Sequence, residues 1–194
     1  MNGAANVRST PGVLTCPACG GPMKSGAGRC PTCHFTGADT MEMFAGPAPP
    51  LLPVVDAAEL LGGEDLGKIE RARLRLGKRF PQFRWCVFTV SLPEETSLPV
   101  FGFWLLNACP LGPEETADER AFTVLLLINA ETGRAAVIPG YGAEPFLADD
   151  EWKQVLASMT PAWQAGKPGA AVVDFLAAAH KQLDHAWKRY GIRK

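Results

Sequence analysis

No stretch of this sequence is long and apolar enough to cross a bilayer. The longest apolar run, Phe122 to Ile128, has the length of a buried strand, well short of the roughly 18 residues a spanning helix needs. The opening MNGAANVRSTPGVLTCPACG lacks the uninterrupted apolar core of a secretory signal, so a reducing cytoplasm is the expected compartment. Charge of one sign is also missing. With 19 Lys and Arg against 20 Asp and Glu, the formal net charge is −1, which supplies no field to gather nucleic acid or an anionic membrane without a local patch. The linear sequence shows no such patch. The GxxxxGK[ST], GxSxG and HExxH patterns are absent, and Pro139-Gly140-Tyr141-Gly142 lacks the third glycine of a dinucleotide loop. His180 and His185 are five residues apart on a predicted helix, a spacing that does not present two ligands on one face, and both are expected to face solvent. There is no internal repeat.

What is present begins with cysteine. CPAC, Cys16 to Cys19, and CPTC, Cys30 to Cys33, are two C-x-x-C pairs ten residues apart. Each pair can form a tight turn aiming two thiolates at one point, and two such turns complete a tetrahedron around a structural Zn²⁺. A thioredoxin-like redox pair is the alternative, but it belongs beside a strand and helix of a larger fold, whereas these pairs sit in a short Pro/Gly-rich segment. His34 could also replace the fourth cysteine. A four-thiolate site has no open coordination position, so its role would be contact. The nearby cations are Arg8, Lys24 and Arg29 and the only aromatic is Phe35, which is not a nucleic-acid-binding surface; a protein partner is expected. Cys86 and Cys109 stand apart on apolar segments and read as buried core thiols.

The remaining chain divides by composition. Residues 1–12 read as a disordered tail, 13–40 as the zinc ribbon, 41–53 as a Pro-rich linker, and 54–194 as a domain with its own core. FAGPAPPLLP, Phe44 to Pro53, favours polyproline geometry and is expected to be a semi-rigid spacer between independent folding units. Periodicity predicts a helix over Glu64 to Arg79 with Leu66, Ile69, Leu76 and Phe80 inward, a strand over Arg84 to Leu92, and a short buried helix over Pro99 to Asn107. It then predicts a hairpin of Ala121 to Asn129 with Gly133 to Pro139, a helix from Asp149 to Met159 and a last helix from Ala170 to Tyr190. That order gives a mixed sheet with helices on its faces. Glu114, Glu115, Asp118 and Glu119 read as a solvated loop surface.

The segment IPGYGAEPFLADDEW, Ile138 to Trp152, poses the functional question. Gly140 and Gly142 suit a turn needing positive φ or close packing, and Asp149 or Asp150 suits a helix N-cap. VVDAAELL (Val54 to Leu61), VLLLINAETGRAAVIPGYGAEPFLADDEW (Val124 to Trp152) and a long helix after W-x-x-G-K-P-G-A-A together resemble the TPM domain over about Val54 to Leu183. The resemblance implies an α/β/α sandwich with a mixed sheet, a divalent-cation site for Ca²⁺ or Mg²⁺ as in some members, and the acid-phosphatase activity attributed to plant thylakoid members. It suggests that Asp56, Glu144, Asp149 and Asp150 meet at one edge of the sheet and bind a hard cation. Family members commonly carry a signal peptide and a membrane helix. Here a cysteine module stands in front instead, and PVFGFWLLNACP replaces the usual charged helix. Two functions follow: a zinc-binding scaffold acting through protein contacts, or a metal-dependent phosphatase acting on phosphomonoesters through the acids. No nucleophile is evident for the second.

Overall fold

Val124, Leu126 and Ile128 alternate with Leu125 and Leu127, and both sets are apolar. A strand with that pattern must be covered on two faces, and the computed structural model covers it on both. The structure describes residues 14–24, 27–112 and 115–189; the expected tail and the last residue of the predicted final helix, Tyr190, lie outside them. In chain order the elements are β1 (Leu14–Thr15), β2 (Pro22–Met23), α1 (Gly37–Met43), β3 (Val54–Asp56), α2 (Gly63–Arg79), β4 (Arg84–Val90), α3 (Leu98–Ala108) and α4 (Ala117–Ala121). They continue with β5 (Thr123–Asn129), β6 (Arg134–Pro139), a 3₁₀ turn at Glu144–Phe146, α5 (Asp149–Ala157), α6 (Thr160–Gln164) and α7 (Pro168–Arg189).

The main sheet has the order β3-β4-β5-β6. β3, β4 and β5 are parallel, with Asp56 opposite Thr89 and Thr89 opposite Ile128. β6 returns antiparallel, pairing Ile128 with Ala135 and Val124 with Pro139. On one face Trp85, Val87, Val124, Leu126 and Ile128 pack with Ile69 and Leu76 of α2, Trp152 and Val155 of α5, and Phe175 and Leu176 of α7. On the other, Cys86, Phe88, Leu125 and Leu127 pack with Leu98, Phe101 and Leu105 of α3. This is the α/β/α sandwich with a mixed sheet. Cys86 and Cys109 are buried free thiols, and burial pushes Cys109 up to about 11.

Several details differ from the periodicity reading. Leu66 points outward, 37% exposed; its place on the apolar side is taken by Leu61, just ahead of the helix. α4 forms where a loop is expected, because the Thr116 side chain accepts a hydrogen bond from the Glu119 amide and caps it. Of the expected solvated acids, Asp118 is exposed and Glu114 lies outside the described residues, but Glu119 pairs with Arg84, and Glu115 pairs with Arg120 and accepts from the Leu111 amide. His185 faces solvent, while His180 sets its ring edge-on against Phe80 at 5.7 Å. Where a spacer is expected, the Phe44 ring lies 5.0 Å from Phe101 and 5.4 Å from Trp104, and Leu51 is fully buried with its amide on the Pro110 carbonyl. The prolines prevent helix and sheet there, and the apolar side chains between them still find the core.

Candidate metal centre and adjoining cavity

The two C-x-x-C turns are built alike. Cys16 N donates to Gly21 O and Gly20 N to Cys16 O; in the second turn Cys30 N donates to Phe35 O and His34 N to Cys30 O. The fifth residue of each turn is in the left-handed region, Gly20 at φ +73 and His34 at φ 65. His34 therefore closes a turn, and glycine is the residue that adopts this conformation without strain. Amides of Ala18, Gly21 and Thr32 donate to the sulfurs of Cys16, Cys19 and Cys30, each at 3.4 Å. These local bonds help to fix the sulfurs of Cys16, Cys19 and Cys30.

The sulfurs of Cys16, Cys19, Cys30 and Cys33 all lie within 4.8 Å of one another. Cys16 to Cys33 is 3.6 Å and Cys19 to Cys30 is 3.8 Å, far from a bonded S–S separation of about 2.05 Å. A tetrahedral ion with metal–sulfur bonds of about 2.3 Å sets its ligands about 3.8 Å apart, so the cradle fits a tetrathiolate metal. The proton affinities fit as well. The Cys33 and Thr32 amides, with the facing thiols, hold Cys30 down to about 6. At Cys33 the Phe35 amide pulls downward, but burial and the three facing sulfurs override it and push the thiol up to about 12. Burial raises Cys16. A cation relieves the burial and crowding that raise Cys16 and Cys33.

This module sits on the main domain. Cys16, Cys30 and Phe35 form one buried cluster with Val100 of α3, and Phe35 meets Phe103 edge-on. Beside that seam opens a cavity of about 200 Å³, walled by Phe103, Leu106, Ile138 and Pro139, with Tyr141 at its rim and Arg120, Asn107 and Glu144 as its polar groups. Arg120 was not singled out by its sequence context. It donates to the Leu106 carbonyl and, at 3.1 Å, to the Cys109 carbonyl at the end of α3, while pairing with Glu115. Its partners are mostly backbone, which leaves no signature in the sequence. The Arg120 side chain and the Leu111 amide hold the Glu115 carboxyl below the usual carboxylate range.

The two glycines of the turn are explained by closeness. Neither has positive φ. A Cβ on Gly140 would lie 2.4 Å from the Ala121 carbonyl oxygen, and one on Gly142 would lie 2.9 Å from the Phe122 ring. The backbone of this turn is pressed against the start of β5, with Gly140 N bonded to Thr123 O at 2.7 Å.

Asp56 and Glu144 do not meet. Asp56 ends β3, in register with Ala135 through Thr89 and Ile128. Glu144 follows the far end of β6, beyond the Val124–Pro139 pair, about 13 Å away along the strands at ~3.3 Å per residue. The antiparallel turn of β6 is the reason. Asp56 is occupied with backbone, accepting from Leu60 N and Leu61 N at 3.0 and 2.8 Å and from the Thr89 hydroxyl. Asp150 faces solvent beside Lys153. Neither Asp149 nor Asp150 is the N-cap of α5: Ala148 takes that position and Glu151 reaches back to its amide at 2.8 Å. Among the described residues, the four cysteines are the only group of three or more such ligands close enough to share an ion.

Comparison with known proteins follows this architecture. A family model described as the TPM domain matches residues 54–182. The solution NMR structure of the N-terminal domain of a protein from P. gingivalis is similar with a TM-score of 0.52 and 19% identity, over 79% of this chain and 94% of that one. The NMR structure of the BA42 protein from Bizionia argentinensis is similar with a TM-score of 0.50 and 18% identity, over 69% and 90%. No curated protein matches.

Proposed function

The chain belongs to the TPM domain family, and from that premise we propose that it is a zinc-stabilised binding protein whose protein partner docks at the seam between the cysteine module and the TPM domain. The observation that carries this reading is the cavity beside Phe103. Its walls are apolar, its rim holds an exposed tyrosine, and a few polar groups converge on it, which is the composition of a recognition pocket. The tetrathiolate site suits Zn²⁺, and its task in this reading is to hold one wall of the pocket. The separation of Asp56 from Glu144 favours binding over phosphomonoester hydrolysis, because a hard cation needs its carboxylates together. A reducing cytoplasm is the compartment in which four free thiols would keep a metal.

The experiment is site-specific photo-crosslinking from position 141 in cells, compared with the same chain carrying Ala117→Trp. Ala117 is exposed and lines the cavity, so tryptophan there fills the space without removing a buried contact. A discrete crosslinked protein that disappears with Ala117→Trp supports the reading. Hydrolysis of a generic phosphomonoester with Mg²⁺ or Ca²⁺ that disappears in Asp149→Asn/Asp150→Asn overturns it in favour of the enzyme.

A further inference from the structure

A chain of formal charge −1 nevertheless presents a basic face, and folding assembles it from two helices about a hundred positions apart. α2 and α7 lie side by side on the same face of the sheet and run parallel. Gly169 at the start of α7 abuts Asp65 at the start of α2, and Arg79 near the end of α2 pairs with Asp184 at 2.9 Å. At about 100° per residue, Arg71, Leu74, Arg75 and Lys78 fall within one quarter or so of the α2 surface, opposite the buried Ile69 and Leu76. Lys181 and Lys188 occupy the outward side of α7 in the same way. All five cations are exposed, and none takes a carboxylate in an ion pair among the described residues. Among them Leu74 stands 55% exposed.

We propose that this face docks peripherally on an anionic phospholipid surface, with Leu74 entering the interfacial region and the cations lying among the headgroups. This surface is separate from the cavity, and the inference does not depend on what the cavity binds. The cations are distributed over two helices packed in one layer, a broad field that matches a planar sheet of charge better than a linear polymer. Single-stranded nucleic acid is held through exposed aromatic platforms, and the outward positions of these two helices carry no Phe, Tyr or Trp, His185 being the one exposed ring among them. An exposed leucine ringed by arginine and lysine is the composition of an interfacial contact: each cation near an anionic leaflet contributes about 1 kcal/mol, and apolar burial adds to it.

The test is co-sedimentation of the full chain with vesicles of phosphatidylglycerol in phosphatidylcholine, and with pure phosphatidylcholine. Binding is expected to the first only, and to be lost in high salt. Arg71→Glu/Arg75→Glu/Lys78→Glu should weaken it by about a hundredfold or more, given the contribution of each cation. Leu74→Ala, at an exposed position, should weaken it by roughly tenfold through lost apolar burial. If the triple reversal lowers the thermal transition, the Arg71→Gln/Arg75→Gln/Lys78→Gln set replaces it, with a smaller loss in the same direction. Absence of binding to the anionic vesicles, equal binding to neutral ones, or binding indifferent to the α2 substitutions overturns the proposal. Displacement of the protein from vesicles by a nucleic-acid homopolymer at equal charge concentration overturns the choice of occupant.

Discussion

The ring of Phe35, next but one to the last cysteine of the metal centre, stands edge-on to Phe103 of α3 with centroids 6.1 Å apart. The contact ties the second cysteine turn to the main core. Phe103→Ala is expected to cost roughly 1–2 kcal/mol in urea unfolding, since an aromatic pair of this kind adds about 0.5–1.5 kcal/mol to partial burial. It should also leave the segment from Ala45 to Pro50 more open to protease. An unchanged midpoint would mean that module and domain fold independently despite the contact.

One zinc per chain is expected from elemental analysis, and Cys30→Ser should abolish it, because three thiolates and a hydroxyl make a much poorer tetrahedral site. The pH dependence has a definite sign. Cys30, held down to about 6, is already a thiolate at neutral pH, whereas Cys16 and Cys33 are pushed up and hold their protons. Zinc uptake at neutral pH must therefore release protons, and affinity must fall as pH falls, steepening once Cys30 protonates. Calorimetry in buffers of different ionisation enthalpy measures the release. Uptake with no proton release contradicts the assignment.

Gly140→Ala should be the more damaging of the two turn substitutions. Its new carbon meets a backbone oxygen that can move only with β5, while that of Gly142→Ala meets the edge of a half-buried ring. Overpacking of the first kind is expected to cost about 2–4 kcal/mol and the second about 1–2. Thermal unfolding of the two variants side by side checks the order.

Among the acids, Asp56→Ala should destabilise by about 2–3 kcal/mol, because it removes the acceptor of two backbone amides and a hydroxyl. Asp150→Asn, at a solvated position, should stay within about 0.5 kcal/mol. If added Mg²⁺ or Ca²⁺ raised the wild-type transition and failed to raise that of Asp150→Asn, a cation site would exist despite the separation.

Glu115 links pH to the end of α3. Its carboxyl is held below its ordinary range by Arg120 and the Leu111 amide, so its contribution is fully present above the unfolded carboxylate pKa and is lost as pH falls through the lower folded value. The stability difference between wild type and Glu115→Gln should accordingly shrink on acidification and vanish in strong acid. A constant difference would show that the ion pair with Arg120 is not its source.

The pattern of what could be read in the sequence follows from range. Cys16, Cys19, Cys30 and Cys33 were legible because their ligand spacing is local, and β4, β5, β6, α2 and α7 because their periods run for many residues. β3 was not, since three residues after a proline display no period and exist as a strand only by pairing with β4. Asp56 and Glu144 lie at opposite ends of the sheet because β3 pairs parallel with β4, and nothing in the neighbourhood of Asp56 announces that pairing. Arg120 holds main-chain carbonyls, which every sequence has. The basic face required knowing that Arg75 and Lys181 share a layer.

The pairing of Arg79 with Asp184 also bears on synthesis. The hairpin of β5 and β6 closes across a short turn and can form as soon as it is made, but α2 has mainly its contact with β4 until α7 follows, after the rest of the sheet is in place. Loops of that size close late. A nascent chain halted before Pro168 would leave Trp85 and Ile69 without the Phe175 side of their core, so cooperative folding should wait for the final helix, and a stop codon in α7 should yield a chain that proteases remove.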